Sequence, residues 1–291
     1  MAKLPEIRRV ELDIESIKQF SSETNFIGLS VDLLIEVGSY VCVIGNAMPL
    51  ETKAWNKDQA VLGGHLVRLY KLISGMLDQT CQHRREISFM LARMAFECIV
   101  NLSFLLKNYS PDLLSSYMKY SLKHEKKLMK TITDNIENRG GTKLPIEERM
   151  LKSIESTFEI SGINPEDINA RELRNWGNKN IYEKAEDVGL GEAYLAAFGG
   201  PSHGIHGNWH DLLEHHLEKN SDNSFSPYFE WHNPRPQYLI VIALQTAEVL
   251  QHYINWLEYE ELENMVTDLQ EFQERVLTLD QLHEEWLSNK T

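Results

Sequence analysis

Apolar positions recur at intervals of three and four along almost the whole chain, and alternating strand-like runs are nearly absent. That period is the signature of helices with one buried face. It predicts a first strong helix over about 29–47 and a second over about 58–79. The third, over about 84–107, is the most apolar, with Ile87, Met90, Leu91, Met94, Ala95, Cys98, Ile99, Leu102, Leu105 and Leu106. So wide a stripe predicts a central helix touched on several sides. Ser110-Pro111-Asp112 starts a fourth helix, with serine as cap and proline where its missing N–H costs nothing. That helix fades near Asn138-Arg139-Gly140-Gly141, and the next runs from Pro145 to Ser161-Gly162. Residues 163–191 read as short helices joined by turns.

Gly199-Gly200-Pro201 then precedes a helix expected to carry a run of histidines and to end near Lys219. Residues 220–236 read as a polar loop, long enough for a lid or a partner contact. Pro236 opens a long apolar helix to about Glu261. The tail over 264–288 is a charged amphipathic helix whose stripe (Val266, Leu269, Phe272, Val276, Leu279, Leu282, Trp286) must cover the body of the protein or another subunit. The fold expected is all-α. Residues 1–262 form one helical domain, and 263–291 form an acidic C-terminal helical extension.

Composition narrows the functional classes. A length of 291 residues with 42% hydrophobic and 25% charged residues is ordinary for a globular chain. The net charge of -14 argues against nonspecific attachment of the whole molecule to nucleic acid or anionic membranes. A local exception is the lysine island of Lys119, Lys123, Lys126, Lys127 and Lys130 around His124, read first as a solvated helix face and otherwise as a footprint for RNA or an anionic partner. Three cysteines, Cys42, Cys81 and Cys98, without a CxxC pair, predict reduced thiols and a cytoplasmic protein. The longest apolar stretch is interrupted by Asp32 and Glu36, so no membrane span is expected.

Candidate chemistry concentrates in two places. The first is Gly199-Gly200-Pro201-Ser202-His203-Gly204-Ile205-His206-Gly207-Asn208-Trp209-His210-Asp211. On a continuous helix His203, His206 and His210 share one face, and the helix start would favour phosphate or carboxylate. No histidine has a glutamate three residues before it, so a carboxylate-bridged di-iron bundle is not expected. His210-Asp211 is a weak echo of metal-dependent HD phosphohydrolases. Neither a metal ligand set nor a cofactor is assigned. The second place is Arg93 and Glu97, four apart on the most apolar helix. They suit either an internal ion pair or an arginine that grips an anion while glutamate orients it. Walker, GxGxxG, nucleophile-elbow and HExxH patterns are missing from the sequence.

Taken in order, Arg93-x3-Glu97, then Gly189-Leu190 and Tyr194, then Ser202-x3-His206-Gly207, and then a long apolar helix, the chain resembles a bacterial family of uncharacterised all-helical proteins. The core of that family is similar to HEPN domains. The resemblance covers about 55–262 and singles out Arg93, Glu97, Tyr194, Ser202 and His206, with His203 and His210 outside the pattern. It implies a HEPN-like bundle, commonly dimeric, of ribonuclease, toxin or antiphage type. The usual HEPN motif is an arginine, a polar residue and a histidine four to six positions after the arginine. Here Arg174-Asn175 lacks that histidine. The expectation is therefore a cleft of Arg93, Glu97, Ser202 and His206 that binds the phosphate of RNA or a nucleotide. In a catalytic version without metal, His206 is the general acid–base, Arg93 stabilises charge, and Tyr194, Ser202, His203 and His210 bind. The competing expectation is a non-enzymatic interaction protein, with a buried Arg93–Glu97–His206 network and a partner or second copy on the C-terminal helix.

Overall fold

The computed structural model describes residues 5–47, 54–169, 174–194 and 206–290. The expected all-α architecture is what it shows, apart from one two-stranded sheet. The chain divides into two compact units, one of residues 1–107 with 185–291 and one of residues 108–184.

The first unit is built on α1 (Ile14–Ile17), α2 (Glu23–Gly45), α3 (Lys57–Cys81) and α4 (Arg85–Lys107), completed by a long helix over Pro236–Leu257 and another over Glu263–Ser288. Helix α2 starts six residues earlier than its apolar stripe suggests, because the Ser22 side chain accepts from the Thr24 N–H and caps the extra turn. Asn56 and Gln59 form a reciprocal capping box at the start of α3. Helix α2 packs on α3, α3 on α4, α4 on the Pro236–Leu257 helix, and that helix back on α2. Four helices thus close a ring around a core of Leu34, Leu66, Phe96, Leu105, Leu250 and Tyr253. The breadth of the α4 stripe follows from its two helical neighbours. By length and composition α2 and α4 could also cross a membrane, but about half of each window is buried inside this unit.

The Glu263–Ser288 helix lies against the Pro236–Leu257 helix and α2. Its Met265, Leu269, Phe272, Val276 and Leu279 are buried. The stripe therefore covers the protein's own body. Arg275 anchors it by donating to both carboxylate oxygens of Glu36, at 2.8 and 2.7 Å.

The second unit contains α5 (Pro111–Asn138) and α6 (Pro145–Ser161), started by the Ser110 cap and Pro145 as their sequences predict. Gly162 ends α6 in the left-handed region at φ 60°, which an L side chain rarely adopts. Leu122, Ile132, Ile136, Ile154, Phe158, Ile163 and Ile168 form its core, and Arg139 pairs with Glu147. The lysine island is partly spent on internal bonds. Lys126 Nζ donates to the Ile168 carbonyl, and Lys130 pairs with Asp134. Helix α7 (Ile181–Asp187) leads the chain back into the first unit.

Candidate functional site

Arg85, Glu86, Phe89, Arg93 and Glu97 follow one another at helical spacing down α4. Arg93 and Glu97 are half-buried. Tyr194 follows a turn in which Gly189 has φ 81° and the Tyr194 N–H donates to the Leu190 carbonyl at 2.8 Å. Its ring packs 6.4 Å from that of Phe96. Burial raises the Tyr194 phenol pKa, Arg93 pulls it down and Glu97 pushes it up. Three of the residues expected in the site thus share one place.

The histidine segment departs from expectation. Ser202 and His203, with Gly199-Gly200-Pro201, lie outside the described residues. His206 is exposed, and among the described residues no hydrogen bond or ion pair joins it to Arg93 or Glu97. His206 and His210 do not share a continuous helix. Gly207 turns the backbone into the left-handed region at φ 55°, and Asn208 restarts it as a cap for α8 (Trp209–Asp211). A single wide turn of π-helix over Leu212–His216 follows, and then a hairpin of β1 (Leu217–Lys219) and β2 (Phe225–Pro227). The predicted helix to Lys219 therefore ends as a strand, and the predicted loop contains its partner. His210 is 61% exposed and lies 3.4 Å from Glu214, while Asp211 faces His216 at 3.4 Å. The two members of the His210-Asp211 doublet take different partners.

The wide turn directs His215 inward, to the start of α4. There Glu86 Oε1 is 2.6 Å from His232 Nδ1 and 3.7 Å from His215 Nδ1. The His232 N–H also donates to Glu86 Oε1 at 3.2 Å, and the Arg85 N–H donates to the His232 carbonyl at 3.1 Å. These bonds fasten the segment after β2 to the first turn of α4. Glu86 Oε2 and His215 Nδ1 are buried without a hydrogen-bond partner. Burial pushes the Glu86 carboxyl up, but the bonds from His232 outweigh it and hold the group below its ordinary range. Burial likewise pushes the His215 imidazole down, against the opposing pull of Glu214 and Glu86. Glu86 lies 146 residues from His232, and no local pattern in the sequence joins the three residues.

Beside this cluster lies a cavity of about 370 Å³, lined by Phe89 and Ala92 of α4, Ala193, and Arg235, Gln237 and Tyr238 at the start of α9 (Pro236–Leu257). Its walls are mostly apolar. Gln237 Oε1 is buried without a partner, and the Tyr238 hydroxyl donates to Ser88 at 3.1 Å. Burial lowers the Arg85 guanidinium pKa, the like charge of Arg235 lowers it further, and Glu214 and Glu86 oppose them.

Fold and site together define an all-helical protein with a ladder of polar groups down one bundle helix and a cavity beside it. A family model described as a family of unknown function, DUF5677, matches residues 59–225, more than half of the chain, and the chain belongs to that family. The match includes Glu86, Arg93, Glu97, Tyr194 and His215 and ends before His232 and Arg235. No curated protein and no solved structure matches the chain.

Proposed function

We propose that the cavity beside α4 binds a small phosphate-bearing ligand of the nucleotide class. The observation that carries this reading is an apolar cavity of about 370 Å³ with the Arg235 cation on its wall. The volume lies within the range of small-molecule sites, and such sites are mostly apolar with a few placed polar groups. An anion there accepts charge-assisted bonds from the Arg235 guanidinium. Phe89 and Tyr238 offer aromatic surface for a base, and the unpartnered Gln237 oxygen offers an acceptor for an amino group. Arg93 and Glu97 act electrostatically on Tyr194, which follows the lining residue Ala193 in the chain. The net charge of -14 favours a small ligand over a long polyanion. HEPN kinship of the helical core is part of the same proposal and rests on the paired motifs around Arg93 and His206. The exposed His206 lends no support to general acid–base cleavage of RNA.

Titration calorimetry of the full chain with a panel of nucleoside mono-, di- and triphosphates tests the reading. At least one is expected to bind, and Arg235→Met is expected to weaken it by about tenfold or more, the scale of one lost charge-assisted bond. Arg93→Met is expected to act in the same direction. Absence of binding across the panel, or equal affinity in both variants, removes the proposal.

A second reading is favoured by a separate feature. Phe229 is 88% exposed and Trp231 is 50% exposed just after β2, and Trp209 and Phe225 stand partly exposed edge to face. Aromatic side chains left in water in one short segment suit a protein partner, here a second copy of the chain. Light scattering at micromolar concentration is expected to give the mass of a dimer for the parent and of a monomer for Phe229→Ser with Trp231→Ser. An unchanged mass would remove this role.

A further inference from the structure

The geometry points to a divalent transition-metal site, best suited to zinc, formed by Glu86, His215 and His232. One ligand atom from each residue lies within 4.8 Å of the other two. Two histidines and one glutamate are a complete set for zinc in the open, three-ligand form that leaves a fourth position for water or substrate. Ligands at about 2.0–2.1 Å from a tetrahedral ion stand roughly 3.4 Å apart, so small side-chain rotations close the set.

Three observations favour a metal over a merely structural polar cluster. The side chains of Glu86 and His215 are only 9% and 10% exposed, yet Glu86 Oε2 and His215 Nδ1 have no hydrogen-bond partner. Buried polar atoms are normally satisfied, yet His215 Nδ1 faces Glu86 Oε1 at 3.7 Å with no hydrogen bond between them. The second is outer orientation. His215 Nε2, the ring nitrogen not needed for the metal, lies 3.8 Å from Glu214 Oε2, and Arg85 lies 3.7 Å from the other Glu214 oxygen. A carboxylate behind a ligating histidine is a recurrent means of fixing its ring. The third is the π-helical turn itself. It holds a peptide path wider than an α-helix and brings His215 inward at the bundle face, and such turns are found frequently at functional sites. His232 is held from behind as well, by the Tyr228 ring 5.4 Å from its own. The alternative, that Glu86 only fastens residues 228–232 to α4, accounts for its bonds to His232 but leaves His215 unexplained.

This site stands independently of the nucleotide reading, since none of its ligands lines the cavity. The test uses the full chain, stripped with chelator and titrated with Zn²⁺ alone in a calorimeter, in a Cys81→Ser background because Cys81 is exposed. One equivalent is expected to bind with a dissociation constant below about 1 µM, and Co²⁺ in its place is expected to show the ligand-field absorption of a four- or five-coordinate ion. His215→Phe keeps the ring volume, and Glu86→Gln keeps the shape and hydrogen-bonding reach. Each should weaken binding by about 100-fold or more while circular dichroism stays that of the parent. His216→Ala, which removes an exposed imidazole of the same segment that faces Asp211, should leave affinity unchanged. Failure to bind one equivalent overturns the assignment. So does loss of binding in the His216 variant with retention in the His215 and Glu86 variants. Should Glu86→Gln unfold, His215→Phe decides the matter alone.

Discussion

Arg275→Met is expected to destabilise the protein by about 3–5 kcal/mol, measured by urea or thermal unfolding at neutral pH. Glu36 has a side chain with no solvent exposure, and both its oxygens accept from Arg275, one of them also from the Val10 N–H at 2.8 Å. Removing the guanidinium leaves a carboxylate in the core with a single neutral donor. The penalty is that of an uncompensated buried charge, which exceeds the net worth of the pair. Arg275 also donates to the Val10 carbonyl at 2.6 Å, so the N-terminal segment is released as well. The double variant Glu36→Met with Arg275→Met is expected to recover most of the loss, because two apolar side chains of similar length replace the pair where it lies between α2 and α10 (Glu263–Ser288). A double variant no better than Arg275→Met would place the destabilisation in lost packing. Helix α10 would then be held by Leu269, Phe272 and Val276 and not by this contact.

The same comparison shows which features of the chain can be read from one dimension. Helix starts written in local chemistry were legible: Ser110-Pro111 opens α5, Pro145 opens α6, Pro236 opens α9, and Gly162 closes α6. Each signal acts within one turn on the residues beside it, so no tertiary contact can overrule it cheaply. The central place of α4 was legible for a different reason, since only a helix with several helical neighbours needs so wide an apolar face. In the histidine segment two local signals compete. The spacing of His206 and His210 favours one helix, but Gly207 and Asn208 interrupt it, and Asn208 caps the next turn by accepting from the His210 and Asp211 N–H groups. The hairpin strands of three residues each are too short to show an alternation. The cluster of Glu86 with His215 and His232 had no signal at all. An acid in the first turn of a helix is expected for the helix dipole, and Glu86 looks like one. Only the return of the chain after β2, 146 residues later, gives it a second task. Arg93 and Glu97 are legible as a charged pair four apart on the most apolar helix, Tyr194 only through the resemblance, and the fold brings Tyr194 within electrostatic reach of both.

Lowering the pH from 6.5 to 4 is expected to remove about 3 kcal/mol of stability through His65 alone. This histidine is buried between α3 and α4, with Cys98 Sγ 3.6 Å from its Nδ1. Burial, and to a lesser degree the nearby Arg68, pushes its pKa from 6.5 down to about 4. The folded protein therefore holds His65 neutral over a range in which the unfolded chain binds a proton. Stability rises with pH wherever the unfolded state binds more protons, so the contribution of neutral His65 is complete above the unfolded value of 6.5. It declines as pH falls and levels off once the folded state protonates near 4. A shift of about two and a half pH units at about 1.4 kcal/mol each sets the size of the loss. His215, pushed down by its own burial, adds a loss of the same sign. The depressed carboxyl of Glu86 acts at lower pH, because its contribution is present above its unfolded pKa and disappears as the folded group protonates. Cys98, which burial pushes up to about 12, stays protonated throughout and contributes no slope. The measurement is urea unfolding at a series of pH values for the parent and for His65→Leu, which keeps the side chain apolar and similar in size. The difference between the two curves isolates the histidine. It should be flat above pH 6.5 and should close by about 3 kcal/mol in favour of the variant by pH 4. Parallel curves would mean that His65 takes up its proton at the same pH in the folded and unfolded states, and that the core between α3 and α4 does not keep it from water.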